Sequence, residues 1–202
     1  MKRTVCGLLV GLMLLGVQTK SVHALAWTEL RKAVLLLKNT LKHLATAEQK
    51  RRIELYKKFH AAKGVPVCLK AHKGQYVSAG NLSTNLYANR AKCSIWEQFK
   101  IVNGKKALYS GDRVKILTYQ YRYWSAQRVG SLFCSRVVAK AWEYFTLKKV
   151  GGGGKINSGD KVMFLSHHKK FVSAEHGGGS FLVANRSHAN AWEQFQVVLL
   201  KP

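Results

Sequence analysis

The sequence predicts a mainly β protein, in which one domain of three tandem repeats closes on itself as a threefold barrel behind an amphipathic helical segment. Three observations carry this reading. A four-residue motif recurs as Trp96-Glu97-Gln98-Phe99, Trp142-Glu143-Tyr144-Phe145 and Trp192-Glu193-Gln194-Phe195, at spacings of 46 and 50 residues. Apolar and polar residues alternate in short runs between turn signals after Gly64, the period of half-buried strands. Residues 25–63 instead contain neither Pro nor Gly and repeat apolar residues every three or four positions.

The N-terminus reads as a targeting segment. Lys2 and Arg3 are followed by an apolar run from Cys6 to Val17, and Val22-His23-Ala24 places short side chains where a signal peptidase acts. The run is too short for a membrane-spanning helix. Residues 1–24 are therefore expected to be a cleaved signal peptide, and the mature chain to be secreted. Loss of Lys2, Arg3 and Lys20 lowers the charge from +25 to +22. Cys68, Cys93 and Cys134 remain. An oxidising compartment allows one disulfide among them, with three pairings open.

Residues 25–63 carry Trp27, Leu30, Val34, Leu37, Leu41 and Leu44 on one helical face, with Arg31, Lys32, Lys38 and Lys42 on others. Thr46 and Gln49 fit a capping box, which favours a second helix to about Ala62 over a single kinked one. Gly64, Val65 and Pro66 mark the stop.

The repeats span about 64–109, 110–157 and 158–202. Before each Trp-Glu motif lies an aromatic followed by Ser-Ala: Tyr76 with Ser78-Ala79, Tyr123 with Ser125-Ala126, Phe171 with Ser173-Ala174. Leu86, Leu132 and Leu182 follow, then Arg90, Arg136 and Arg186. Ser110-Gly111-Asp112 and Ser158-Gly159-Asp160 introduce copies two and three as turns. In the first copy the expected strands are 67–70, 76–79, 86–88 and 96–102. One such repeat cannot bury its apolar face alone, so the three must share a core. Closure also removes exposed strand edges.

Tyr76-Val77-Ser78-Ala79, Leu86-Tyr87-Ala88-Asn89-Arg90 and Trp96-Glu97-Gln98-Phe99 resemble the repeat of fascin-type β-trefoil domains. The third copy, with Phe171-Val172-Ser173-Ala174, Leu182-Val183-Ala184-Asn185-Arg186 and Trp192-Glu193-Gln194-Phe195, is more similar still. The resemblance covers residues 64–202 and implies a β-trefoil. Fascins bundle actin through four such domains, whereas this chain has one behind a secretion signal, which argues against actin. The Gln-x-Trp of ricin-type lectins is absent, so sugar sites of that kind are not implied.

The repeated motif reads as structural. Trp96, Phe99, Trp142, Phe145, Trp192 and Phe195 each offer large apolar surface, worth roughly 1.5–3 kcal/mol for a buried Phe. Glu97, Glu143 and Glu193 then need internal partners, for which Arg90, Arg136 and Arg186 are candidates. That leaves 21 Lys and Arg against six carboxylates after Gly64, most of the latter assigned to motif or turns. Such a field attracts polyanions. Lys105-Lys106, Lys148-Lys149 and Lys169-Lys170 near turns are candidate anion-binding residues, and the Trp27–Leu44 stripe a candidate membrane face.

The leading expectation is a non-enzymatic protein binding anionic membrane or microbial-envelope surfaces, in a host-defence or toxin-like role. The alternative is an extracellular protein that binds acidic, heparan sulfate-like glycans or matrix, with structural helices; a second alternative, implied by the resemblance, is an actin-binding protein of fascin type. Nucleic acid fits the charge, with Tyr119, Tyr121, Tyr123 and Trp124 as a stacking platform, but secretion argues against it. No free carboxylate pair, Gly-x-Ser-x-Gly or phosphate loop points to catalysis. His167, His168, His176 and His188 read as surface residues, and no cofactor or metal is expected.

Overall fold

The structure, a computed structural model, describes residues 19–80 and 83–201, with helical side chains from Glu29 onward. The n-region and apolar run of the expected signal peptide, and the side chain of Trp27, lie outside the described residues. The chain divides into two compact units, residues 1–52 and 53–202.

One helix, α1, runs from Thr19 to Ala61 without a break, so the expected pair of helices is not formed. Its physical reason is local. With no Pro or Gly in the run, nothing interrupts the hydrogen-bond ladder. Thr46 Oγ1 donates back to Lys42 O at 2.9 Å, a mid-helix bond rather than an N-cap. Exposed ion pairs Lys32–Glu29 and Arg52–Glu48 lie three and four residues apart along the surface.

The last turns of α1 belong to the second unit, ahead of the boundary expected at residue 64. Phe59 is only 1% exposed and packs against the Tyr119 ring at 5.5 Å. Lys100 Nζ donates to His60 O at 2.8 Å and Ala62 O at 2.5 Å, satisfying carbonyls that a helix C-terminus leaves without partners. Burial lowers the Lys100 pKa from its ordinary value. Gly64 then turns the chain into the sheet at φ +138°, where a Cβ would sit 3.1 Å from Ile101 O.

Twelve strands follow: β1 Val65–Lys70, β2 Tyr76–Ala79, β3 Leu86–Arg90, β4 Phe99–Val102, β5 Arg113–Thr118, β6 Tyr123–Ala126, β7 Leu132–Arg136, β8 Phe145–Lys149, β9 Lys161–Ser166, β10 Phe171–Ala174, β11 Leu182–Arg186 and β12 Phe195–Leu199. Antiparallel pairing runs β1–β4–β5–β8–β9–β12 and returns from β12 to β1, closing a six-stranded barrel. Hairpins β2–β3, β6–β7 and β10–β11 complete the three repeats. This is the β-trefoil. The fourth strand of the first copy begins at Phe99 rather than Trp96, because Ile95–Glu97 forms a 3₁₀ turn.

The core repeats in threes. Val67, Val114 and Val162 are buried, as are Leu86, Leu132 and Leu182, and Phe99, Phe145 and Phe195. The largest departure from the symmetry is at Trp124, to which Val77 and Val172 correspond. Its indole lies edge-on to Phe99 at 5.4 Å and also packs on Phe145 and Phe164. Both Trp124 and Tyr119 are buried, so neither is open to stack on a nucleic-acid base. The alternation of β6 that points Ser125 away from Trp124 turns the indole into the barrel.

Cys68 pairs with Cys93, closing a loop of 25 residues, and Cys134 is left buried. Burial pushes the Cys134 thiol up to about 11. Substituting Cys93→Ser is expected to lower stability by about 3 kcal/mol in urea titrations under oxidising conditions. Under full reduction the wild-type chain should fall to the variant's level.

Candidate functional site

Each Trp-Glu motif forms the same anchor. The glutamate at its second position ends a 3₁₀ turn and reaches back three residues, accepting from Ser94 N at 2.9 Å, Lys140 N at 2.7 Å and Asn190 N at 2.7 Å. All three carboxylates are buried, and each turn delivers a phenylalanine into the core. The backbone N–H is thus the principal partner. Arg90 and Arg186 add longer contacts, at 3.8 Å to Glu97 and 3.9 Å to Glu193, and no ion pair joins Arg136 to Glu143 among the described residues. The tryptophans depart from the expectation of core burial. Trp142 and Trp192 are 38% and 39% exposed, and Trp96 is half-buried, because the 3₁₀ turn that buries Glu and Phe sets the indole on the rim.

The remaining carboxylates after Gly64 are all engaged. Asp112 accepts from Lys105 Nζ at 2.8 Å and Tyr109 N at 2.9 Å. Asp160 meets Lys149 Nζ at 2.7 Å and Asn157 N at 2.7 Å. Glu175, without an assigned role in the sequence, pairs with Arg186 at 2.7 Å. Burial pushes the Asp112 carboxyl up, but bonds from Lys105, Tyr109 and Asn103 outweigh it and hold the pKa below the usual value. The Asn157 amide, then Lys149, does the same for Asp160. Depressed folded-state values stabilise the fold above the unfolded carboxyl pKa of about 3.9 and lose that contribution as pH falls through the folded values. Thermal scans are expected to show the Asp112→Asn chain losing less stability than wild type between pH 5 and pH 2.

The six candidate lysines differ in their surroundings. Lys105 and Lys149 are tied to turn aspartates. Lys148 and Lys170 are half-buried, the first over the Phe171 ring at 5.8 Å and the second donating to Ser187 Oγ at 2.7 Å. Lys106 and Lys169 face solvent. His168 lies against His167 and Trp142, while His176 sits on Trp192.

On α1, Leu30, Val34, Leu37, Leu41 and Leu44 are between 50% and 65% exposed. Leu35 and Leu36, outside the expected stripe, are exposed as well. Residues 29–52 hold seven Lys and Arg against two Glu. No helix among the described residues is long and apolar enough to cross a membrane.

No family model matches the chain, and no curated protein matches it in sequence. Solved structures show the fold. The SDF2-like protein from Arabidopsis thaliana aligns at TM-score 0.54 and 11% identity over 67% of this chain and 92% of its own. The designed threefold-symmetric protein ThreeFoil aligns at 0.53 and 13%, over 67% and 99%. SeviL, solved bound to the asialo-GM1 saccharide, aligns at 0.50 and 12%, over 69% and 100%. These likenesses concern the β-trefoil alone.

Proposed function

We propose that this chain is a secreted, non-enzymatic binding protein that associates with anionic membrane or microbial-envelope surfaces through α1, in a host-defence or toxin-like role. The carrying observation is the exposed apolar stripe from Leu30 to Leu44 in a segment with seven basic and two acidic residues. Leucines left in water on a cationic helix are the makeup of a helix that lies in a bilayer interface. Burying each such side chain is worth roughly 1.5–3 kcal/mol. Each Lys or Arg near an anionic leaflet adds about 1 kcal/mol. The disulfide between Cys68 and Cys93 supports an oxidising compartment.

A second reading, binding of acidic glycans, is favoured by the capture of all six carboxylates after Gly64, which leaves the domain's surface charge cationic. The repeat motif supports kinship with fascin-type domains.

The test is sedimentation with phosphatidylserine–phosphatidylcholine vesicles and with pure phosphatidylcholine vesicles at about 150 mM salt, where surface charge is screened within about 8 Å. The reading expects binding to the anionic vesicles and dye release from them. Equal recovery in the supernatant with both kinds would overturn it.

A further inference from the structure

The threefold repeat contains one cleft in two different conditions. In the first copy, Pro66, Lys100 and Leu117 form a row across β1, β4 and β5. That row receives the end of α1: Lys100 binds the carbonyls of His60 and Ala62, and Tyr119 packs against Phe59. In the second copy the same register aligns Arg113, Thr146 and Leu165 across β5, β8 and β9. Among the described residues no helix end fills this row. It opens as a cleft of about 290 Å³, whose lining also includes Tyr144, Ser166, His167 and Lys169.

The residues that line the open cleft depart from their counterparts in the other copies. Tyr144 replaces the glutamine of the motif, Gln98 and Gln194. Its ring carries the Arg113 guanidinium at 3.9 Å, and Lys115 Nζ lies 5.6 Å from the same ring. Arg113 is thereby held by an aromatic face and not by a carboxylate, so its N–H fork is left for a ligand. Lys169 stands at φ +59°, in the turn position that Gly74 occupies at φ +86° in the first copy and Tyr121 at φ +61° in the second, so that of the three only Lys169 places a cation there. A left-handed position suits glycine, and a lysine kept there projects a charge beside the cleft. No acidic residue lines it. Threefold packing requires none of these departures.

The geometry points to a binding site for a sulfate or phosphate ester carried on a sugar-sized ring, with Arg113 as the bidentate donor, Lys169 as its flanking charge and the His167 ring beside them. The first copy already shows that the row accepts oxygens, there from main-chain carbonyls. The second copy adds the cations that a full negative charge requires. A volume at the small end of ligand sites suits one such ring. The site rests on the acidic-glycan reading, to which it gives a place in the fold, and is independent of the membrane reading of α1.

The experiment titrates the full chain by calorimetry with a heparin-derived sulfated disaccharide, with an inositol phosphate and with unsulfated disaccharide, at about 150 mM salt. Binding of either ester and not of the neutral sugar is expected, and the tighter of the two identifies the source. Arg113→Gln should weaken it at least about tenfold, the loss of a charge-assisted bond. Lys169→Gly should also weaken it while keeping or raising Tm, which separates loss of the site from loss of the fold. Lys92→Gln, an exposed cation in the first copy with the same charge change, should alter affinity less than about twofold. Equal losses in all three variants, or no binding of either ester, would overturn the proposal.

Discussion

Trp124→Ala is expected to cost about 3–5 kcal/mol of unfolding free energy, the range for truncating a large buried aromatic. For a unit of this size that lowers Tm by about 10 °C or more. The indole is fully buried between Phe99, Phe145 and Phe164, and it fills the barrel centre at a position where the other two copies supply only Val77 and Val172. Neither valine can reach across the space its removal leaves, so the cavity persists. Trp124→Phe should cost much less. It keeps most of the packing and removes the Nε1–H, which finds no acceptor in its buried site. Urea titration of the two variants checks this. Equal, small losses would mean that the core closes around the gap.

The largest functional effect is expected from α1. Replacing Leu37 and Leu41 together by Ser removes two apolar side chains from the exposed stripe, at positions 62% and 65% exposed. Little folded structure depends on them, so stability should change by less than about 0.5 kcal/mol. Binding to anionic vesicles should fall by a factor of about 100 or more, since each lost leucine removes roughly 1.5–3 kcal/mol of interfacial burial. Lys38→Gln with Lys42→Gln should weaken binding less, and chiefly at low salt. A stripe that served a protein partner instead would leave vesicle binding unchanged in the leucine variant.

The two effects differ in how visible their residues are in the sequence. The threefold core was legible because a period-two pattern recurs in register: Leu86, Leu132 and Leu182 are recognisable before any pairing is known, and so are the three motif phenylalanines. The stripe on α1 was legible from its three- and four-residue steps. The continuity of the helix was not, because Thr46 and Gln49 satisfy a capping pattern that the chain overrides with a bond from Thr46 to Lys42. Lys100 is one of many lysines in the sequence. Its burial under the helix end depends on a contact forty residues away, which local pattern cannot express. The Cys68–Cys93 pairing is hidden for the same reason.

The candidate site was legible only in outline. Positive charge is a property of composition, and the engagement of acids by motif and turn was readable from their positions. Which cations remain open was not. Lys105 and Lys149 look like their doublet neighbours and are tied by aspartates that the fold brings beside them. Arg113 and Tyr144 meet only because β5 and β8 pair in a register that sets Arg113 opposite Thr146. The exposure of Trp142 and Trp192 follows from the 3₁₀ turn, in which the buried glutamate bond, and not the hydrophobicity of the indole, decides which side chain faces inward.

The central claim is that the helix surface of residues 29–52 is what an anionic bilayer covers. Hydrogen exchange of the full chain tests it most directly, followed with mass spectrometry in buffer, with phosphatidylcholine vesicles and with vesicles containing phosphatidylserine. The account predicts that peptides from residues 29–52 gain protection only with the anionic vesicles, while the barrel strands keep their exchange rates. Unchanged exchange in that segment on anionic vesicles, or protection in buffer alone equal to that of the barrel core, would contradict it.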